Sequence, residues 1–583
     1  MDDVDAVQAQ IARNMLTSGD WVTARIDGVA YLEKAPLIYW AIALCYKLFG
    51  VSDWVARIPV ALSTIALCWL TAAFGAWAFG RRAGLYAGLC LSTCAGLFLF
   101  TRVLIPDVMV TATVALGMWA FLRALDKDEP HPRLWAFLLA ASLGTGLLLK
   151  SAVGVLFPVA AALLYLFITG QLFSRKAWRR LHPWTGLAVV LLIAAPWHVL
   201  ATLRNPPYFD FAFRSVPGEY HGFLWFFFMN EQVLRFLNLR YPHDYNTVPR
   251  LYFWLFHLAW LFPWSVYFPS VFKLGFRPVD RAGRTRLLAL CWTGFLLVFF
   301  TFSTTQEYYS MPCYPALALL LGSAMAMARE GDGGWLRVGT RLLSVIAGLA
   351  GVVALVLWFL VRNVPTPGDI SEALSRHPGA YTLSLGHLED LTINSLAYLR
   401  LPLALAGIAF LLGSLGTWLG TSLGTSLGTR RAVGQRAFLA LAVMMVLFFQ
   451  AARLAMVGFD PYLSSRPLAE ALLHAPEGRL IVDHHYYTFS SVFFYTNRTA
   501  LLLNGRFNNL VYGSYAPGAP DIFIDDAQWR GMWLAQDRCY LVASQSQMPR
   551  LEKLVGHEAL HVVLLSGGKM LLTNQPVEGA AHS

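Results

Sequence analysis

The chain has 583 residues, 57% hydrophobic and only 14% charged, with a mean hydropathy of +0.52. A soluble domain is nearer a quarter charged and has no reason to repeat apolar blocks of about 20 residues, so a soluble class is excluded. The net charge of +11 lies in short loops between those blocks, which excludes a nucleic-acid footprint as its origin.

Residues 5–18 read as an amphipathic helix ended by Gly19, and PLIYWAIALCYKLFG at 36–50 as an apolar helix too short to span comfortably, lying on the membrane surface. About twelve spanning blocks follow, centred near 58–80, 83–103, 107–125, 134–149, 152–170, 184–203, 251–272, 287–304, 311–328, 342–362, 396–415 and 437–457. Threaded alternately, they put Arg81 and Arg82, Arg123 to Arg133, Arg175 to Arg180, Lys273 to Arg286, Arg329 to Arg341 and Arg430 to Arg436 on one side. That positive-inside pattern makes this side cytoplasmic.

The outer side then receives residues 1–57, 204–250, 363–395 and the tail. In the second of these, FLWFFFMNEQVLRFL at 223–237 has the aromatic content of a headgroup-zone helix. Because no apolar segment precedes 1–57, a first helix is expected upstream of Met1, giving thirteen spans in all. The LGTS repeat at 415–429 is a tolerant linker.

The tail from 458 changes character. RLIVDHHYY, SVFFYTN, DIFIDD, CYLVAS, HVVLLSGG and KMLLTN are short β-rich runs with helical pieces such as QMPRLEKLV between them. The fold class is therefore a membrane all-α bundle plus a small C-terminal α/β domain, divided as 1–57 outer loop, 58–457 transmembrane domain with outer loop 204–250, and 458–583 outer domain. Seven cysteines form no disulfide framework and read as buried thiols.

Ionisable residues near the outer ends of spans are the candidates for chemistry. They are Asp2, Asp3 and Asp5, which could equally be helix N-terminal acids; Lys34 with Tyr31 and Glu33, where a snorkelling lysine is the plain alternative; Arg102 and Asp107, which could simply pair across a turn; Glu307 with Tyr308 and Tyr309; and Arg235 within the aromatic helix. Asp483, His484 and His485 read as a sheet-edge surface patch. No Gly-rich phosphate loop and no metal motif is visible, so neither a nucleotide nor a divalent metal is expected.

The block DDVDAVQAQIARNMLTSGDWVTARIDGVAYLEKAPLIYW, then RVLIPDVMVT, NEQVLRF and QEYYSMPCYPALALLLG, resembles the bacterial lipid A aminoarabinose transferases and the wider GT-C type of membrane glycosyltransferases that includes protein O-mannosyltransferases. The resemblance is strongest over residues 1–125. It implies a helical bundle with two large outer loops and an outer domain, sitting in a bacterial inner membrane with its catalytic face periplasmic. It further implies transfer, with inversion at C1, of a sugar from a polyprenyl-phosphate carrier to an acceptor lipid, glycan or protein. Asp5 matches the second acid of the family's catalytic pair. Val4 stands where the first should be, and Asp3 substitutes if the loop is offset by one. Asp107 matches a further acid; Lys34 and Arg235, with Arg102 nearby, match carrier-phosphate binders; Tyr31, Glu33, Glu307 and Tyr309 would line the cavity. Ala35 replaces a proline of the family's lysine motif, and Gln232 stands where the family often has His. The rival class is a flippase of lipid-linked sugars, which should show midplane polar groups and internal repeats; neither is visible.

Overall fold

A backbone inside a bilayer must satisfy its polar groups internally, so each apolar block has to become a helix. The computed structural model describes residues 1–242, 248–303, 306–330, 334–366, 395–426 and 433–577. Among these, nine helices are long and apolar enough to span: Asp53–Phe79, Asp107–Leu125, Pro132–Lys150, Arg175–Arg204, Arg281–Phe302, Glu307–Met327, Gly334–Val361, Ser395–Thr421 and Gln435–Gly458. The chain is a multi-pass membrane protein. Most of the outer stretch 363–395, Arg430, Arg431 and the end of the LGTS repeat lie outside the described residues.

The other three expected spans depart from single long helices. The block at 152–170 gives Val153–Ile168, a 16-residue helix shorter than the nine spanning ones. The block at 83–103 breaks into Arg81–Ser92 and Ala95–Phe100, and that at 251–272 into Arg250–Trp260 and a 3-10 turn at Trp264–Tyr267. The two breaks repair each other: the Ala95 amide donates to the Phe262 carbonyl at 3.1 Å, and the Trp264 indole donates to Thr93 Oγ1 at 3.0 Å. Apolar patterning cannot announce such a break, because its remedy lies on a distant segment. Close packing adds a second constraint. A Cβ on Gly84 would sit 2.4 Å from the Ala72 carbonyl oxygen, so only glycine lets these two helices touch.

The loops segregate into two sets. Arg281 Nε donates to Asp126 Oδ2 at 2.9 Å and Arg180 to the Asp126 carbonyl at 2.9 Å, joining three of the basic loops. On the opposite face, residues 1–57, the 204–242 loop and the tail pack together. Helix Asp3–Ser18 is closed by Gly19 in the left-handed conformation, φ 73°. A hairpin then pairs β1 (Arg25–Ile26) with β2 (Val29–Ala30) across Asp27-Gly28, whose φ values of 49° and 83° suit a two-residue turn. Helix Leu37–Phe49 buries Ile38, Tyr39, Ile42 and Tyr46 while exposing Leu44, Leu48 and Phe49, so both of its faces are apolar.

The aromatic segment at 223–237 differs from its headgroup-zone expectation. It is a π-helix, Trp225–Leu234, whose Trp225, Phe226 and Phe227 are buried. Phe227 meets Trp197 edge-on at 5.6 Å and Phe226 stacks on Tyr512 of the small domain at 4.1 Å. Dense aromatic content here is a protein–protein core. The most exposed aromatics of this loop are Phe209, Phe211 and Phe213.

The small domain is a six-stranded sheet in the order β5-β4-β3-β6-β8-β7, with β3 (Arg479–Asp483), β4 (Leu501–Leu503), β5 (Phe523–Ile524) and β6 (Cys539–Ser544) parallel. Strands β7 (His561–Ser566) and β8 (Lys569–Thr573) close the far edge antiparallel. Two expectations fail here. SVFFYTN is helix Ser490–Thr496, ended by Asn497 at φ 52°, and the neighbouring strand is Leu501–Leu503. Phe493 and Phe494, adjacent in sequence, are both buried, which a two-sided helix site permits and an alternating strand with one wet face does not. Asp483 is no edge patch. It ends the inner strand β3, is buried, and is ion-paired to Arg550 at 2.5 Å.

Asp3 bolts this domain to the chain's start. It accepts from Lys569 Nζ at 2.6 Å, Ser465 Oγ at 2.9 Å and the Ser491 amide at 2.8 Å, all buried. Removing one partner of a buried pair strands the other charge, at a cost of about 3–5 kcal/mol. Lys569→Met should therefore lower the thermal midpoint followed by tryptophan fluorescence, and Asp3→Asn combined with Lys569→Met should recover most of the loss. A single variant as stable as the parent would show that the pair does not hold the domain in place.

Candidate functional site

Helices Asp107–Leu125 and Pro132–Lys150 are antiparallel neighbours, so the first residue of one meets the last of the other. Asp107 begins its helix just after Pro106 and Lys150 ends the other; an acid at a helix start and a cation at a helix end both complement the dipoles. The two side chains form an ion pair. Above them a cavity of about 430 Å³ opens, with an apolar body that includes Val110, Leu156, Phe157, Phe299 and Phe300. Its charged rim carries Glu33, Lys34, Asp107, Lys150, Glu231 and Arg235, with Tyr308 and Tyr309.

Three further elements complete the rim. The Tyr31–Ala35 link between the hairpin and helix Leu37–Phe49 delivers Glu33, whose Oε1 accepts from Lys34 Nζ at 2.5 Å and whose Oε2 accepts from Tyr31 OH at 2.8 Å. The π-helix delivers Glu231 and Arg235, four positions apart and paired at 2.8 Å. Arg235 also donates to Tyr309 OH at 2.8 Å and stands 3.9 Å from Glu33. Arg240, buried behind, donates to Glu231 at 2.5 Å and to Asn509 Oδ1 at 2.5 Å, while Asn509 Nδ2 donates to Glu33. Thus the small domain reaches the cluster through one amide.

Among the described residues, Lys34, Lys150, Arg235 and Arg240 stand against Glu33, Asp107 and Glu231, so each carboxylate of the cluster has at least one cation beside it. Burial alone would raise the Glu33 carboxyl, but Lys34, Arg240 and Arg235 outweigh it and hold it down to about 2. Burial would likewise lower Lys34, and Glu33 reverses the sign, so the ammonium is held charged. An apolar cavity ending in fixed cations, with Lys34, Lys150 and Arg235 side by side, suits a lipid tail ending in an anion.

Of the residues singled out from sequence, Glu33, Lys34, Asp107, Arg235 and Tyr309 converge on this rim, with Tyr31 behind Glu33. Neither Asp3 nor Asp5 lines the cavity. Asp3 is engaged by the small domain, while Asp5 accepts from Arg57 at 2.5 Å and from the Leu104 amide at 2.6 Å. Asp5 thereby ties the first outer loop to the turn that presents Asp107. Arg102 and Asp107 do not pair: the Arg102 guanidinium lies over the Phe98 ring at 4.4 Å, and its carbonyl accepts from Arg57 at 2.5 Å. Glu307 is buried at the start of the 3-10 turn Glu307–Cys313, just before the two tyrosines that reach the cavity.

Sequence reasoning missed Lys150, Glu231, Arg240 and Asn509. For Lys150 a signal existed, since the alternation puts it on the side that otherwise lacks a positive-inside cluster. Glu231 was marked by its i,i+4 spacing to Arg235. Nothing local distinguishes Asn509.

The fold, a helical membrane bundle with an apolar cavity, a charged rim and a small α/β domain, is shared with a solved membrane protein. The whole chain superposes on 94% of ArnT from Cupriavidus metallidurans, in the structure bound to undecaprenyl phosphate, with a TM-score of 0.77 at 21% identity. In sequence it is 30% identical over 365 residues to undecaprenyl phosphate-alpha-4-amino-4-deoxy-L-arabinose arabinosyl transferase 1 of Pseudomonas fluorescens (strain Pf0-1), covering 60% of this chain and 58% of that one. It is 32% identical over 362 residues to the corresponding transferase of Pseudomonas aeruginosa (strain PAO1), covering 58% and 59%. The chain thus spans a little under three-fifths of the length of these curated relatives. Residues 33–199, which include Glu33, Lys34, Asp107 and Lys150, match the family model described as dolichyl-phosphate-mannose-protein mannosyltransferase. The likeness to lipid A aminoarabinose transferases read from the motifs is found again in both comparisons.

Burial raises the Asp5 carboxyl to about 6, with Arg57 and the Leu104 amide opposing it. The folded protein therefore keeps this proton up to about pH 6, whereas an unfolded chain releases it near 4. Between those values the parent should lose stability as pH rises, by up to roughly 3 kcal/mol relative to Asp5→Asn. Unfolding midpoints of both proteins from pH 4 to pH 7 check this; parallel curves would refute it.

Proposed function

We propose that this protein transfers a glycosyl group from a polyprenyl-phosphate-linked sugar to a lipid A-like acceptor on the periplasmic side of a bacterial inner membrane. The observation that carries the reading is the cavity itself: an apolar body of lipid dimensions whose rim sets the cations Lys34, Lys150 and Arg235 together at one end. The relatives named for transfer from undecaprenyl phosphate-aminoarabinose, and the Cupriavidus structure bound to undecaprenyl phosphate, support the same chemistry.

In this reading the prenyl chain lies in the apolar part and the carrier phosphate at Lys34 and Arg235, with Lys150 close by. As the bond from C1 to the phosphate oxygen breaks, these cations stabilise the charge that develops on the leaving phosphate. Glu33 keeps Lys34 charged and oriented. Asp107 aims Lys150 and is the rim carboxylate placed to receive an acceptor proton or to orient an amino group on the sugar. If the acceptor is a phosphate it is already ionised and needs no base; the acceptor attacks C1 from the face opposite the leaving phosphate, with inversion. Asp5 acts through the 102–107 turn as a positioning residue.

Removing one donor to a developing oxyanion costs about 10²–10³ in rate. Lys34→Ala and Arg235→Ala should each lower release of free polyprenyl phosphate from a radiolabelled polyprenyl-phosphate sugar by that factor in reconstituted membranes. Labelled lipid that stays intact while changing leaflets would support a flippase and overturn the transfer.

A further inference from the structure

A second cavity, of about 330 Å³, lies between helix Asp3–Ser18, the β1–β2 hairpin and the small domain, and shares no lining residue with the charged one. Gln8 and Gln10, two positions apart on the helix, face opposite sides: Gln8 lines the charged cavity and Gln10 lines this one. The helix is therefore a wall common to both.

The second cavity sets polar side chains among apolar ones. Gln10 and Asn14 come from the helix, Arg25 and Asp27 from the hairpin, and Tyr486 and Asn497 from the small domain. Gln10 Nε2 donates to Asn14 Oδ1 at 2.8 Å, and Asn14 Nδ2 to the Arg25 carbonyl at 3.0 Å, so the amides are fixed in a chain. Two atoms are left over. Gln10 Oε1 and the Tyr486 hydroxyl are buried and have no hydrogen-bond partner among the described residues. Their residues line the cavity and are 7% and 1% exposed, and an unpaired polar atom at that depth is costly. Beside Tyr486, Phe493 lies 4.3 Å away centroid to centroid and adds an aromatic surface.

These features select among ligands. An acyl chain would offer nothing to Gln10 Oε1 or the Tyr486 hydroxyl. A free phosphate dianion carries a single O–H donor and no apolar face to lie against Phe493. A pyranose ring has hydroxyls that both donate and accept, and C–H faces that lie against aromatic rings. We propose that this outer cavity is a saccharide-binding site, built independently of the donor cavity. The hairpin that lines it runs directly into Tyr31, Glu33 and Lys34, so its occupant sits on the element that carries the donor rim. Under the transfer reading it is the place for a sugar of the acceptor, but binding there does not depend on that reading.

Calorimetric titration of the full-length protein tests this without turnover. The probes are a deacylated glucosamine disaccharide phosphorylated at both ends, the same disaccharide without phosphates, and inorganic phosphate. Both disaccharides should bind and phosphate should not. Gln10→Leu and Tyr486→Phe should each weaken disaccharide binding about tenfold, the loss of one hydrogen bond. Tyr486→Phe removes an unpartnered buried hydroxyl, so its thermal midpoint should be no lower than the parent's, which separates lost binding from lost folding. Disaccharide affinity unchanged in both variants, or abolished instead by Lys34→Ala, would overturn the proposal. So would phosphate binding as tightly as the phosphorylated disaccharide.

Discussion

Glu33 is the residue on which the arrangement turns. A carboxylate buried at the edge of a bilayer is tolerable only if charges and donors surround it. Here Lys34, Tyr31 and Asn509 bond it directly, and Arg235 stands close. These partners come from the first outer loop, the π-helix and the small domain, so the one buried charge requires all three to be in place at once. The aromatic packing of Phe226 on Tyr512 and the Asp3–Lys569 pair maintain that meeting from either side.

The bilayer made most of the bundle legible. An apolar run of spanning length favours one structural outcome, which is why nine of the twelve blocks reappear as spanning helices among the described residues. What stayed hidden depends on contacts between segments far apart in the chain. The break at Cys94 is repaired by Phe262, and Asp3, which reads locally as a helix-start acid, pairs with Lys569 across 566 positions. The helix at SVFFYTN was concealed for a related reason, since β-prone residues were read without the sheet that would have had to accept them.

The site divides along the same line. Glu33, Lys34, Asp107 and Arg235 are conspicuous because an ionisable residue in an apolar context needs a reason. Lys150 is equally anomalous, but a lone lysine between two apolar blocks also fits a simple break between spans. Asn509 carries no charge and lies in the tail; only folding shows that its amide joins Arg240 to Glu33.

The two readings of the charged cavity, transfer and flipping, ask different things of its roof. Alternating access needs a binding site that opens to either side as one part of the protein rocks against another. The roof here is fastened at Asp3 to Lys569, at Glu33 to Asn509 and at Arg240 to Asn509, and each fastening buries a charged group. Opening the roof would expose or strand these groups together, a cost of several kcal/mol for each buried pair broken. A transferase needs no such motion. Its donor can enter sideways from the lipid, its acceptor can meet C1 under a fixed roof, and a rigid rim is an advantage because charge stabilisation is greatest when the stabilising groups need not move.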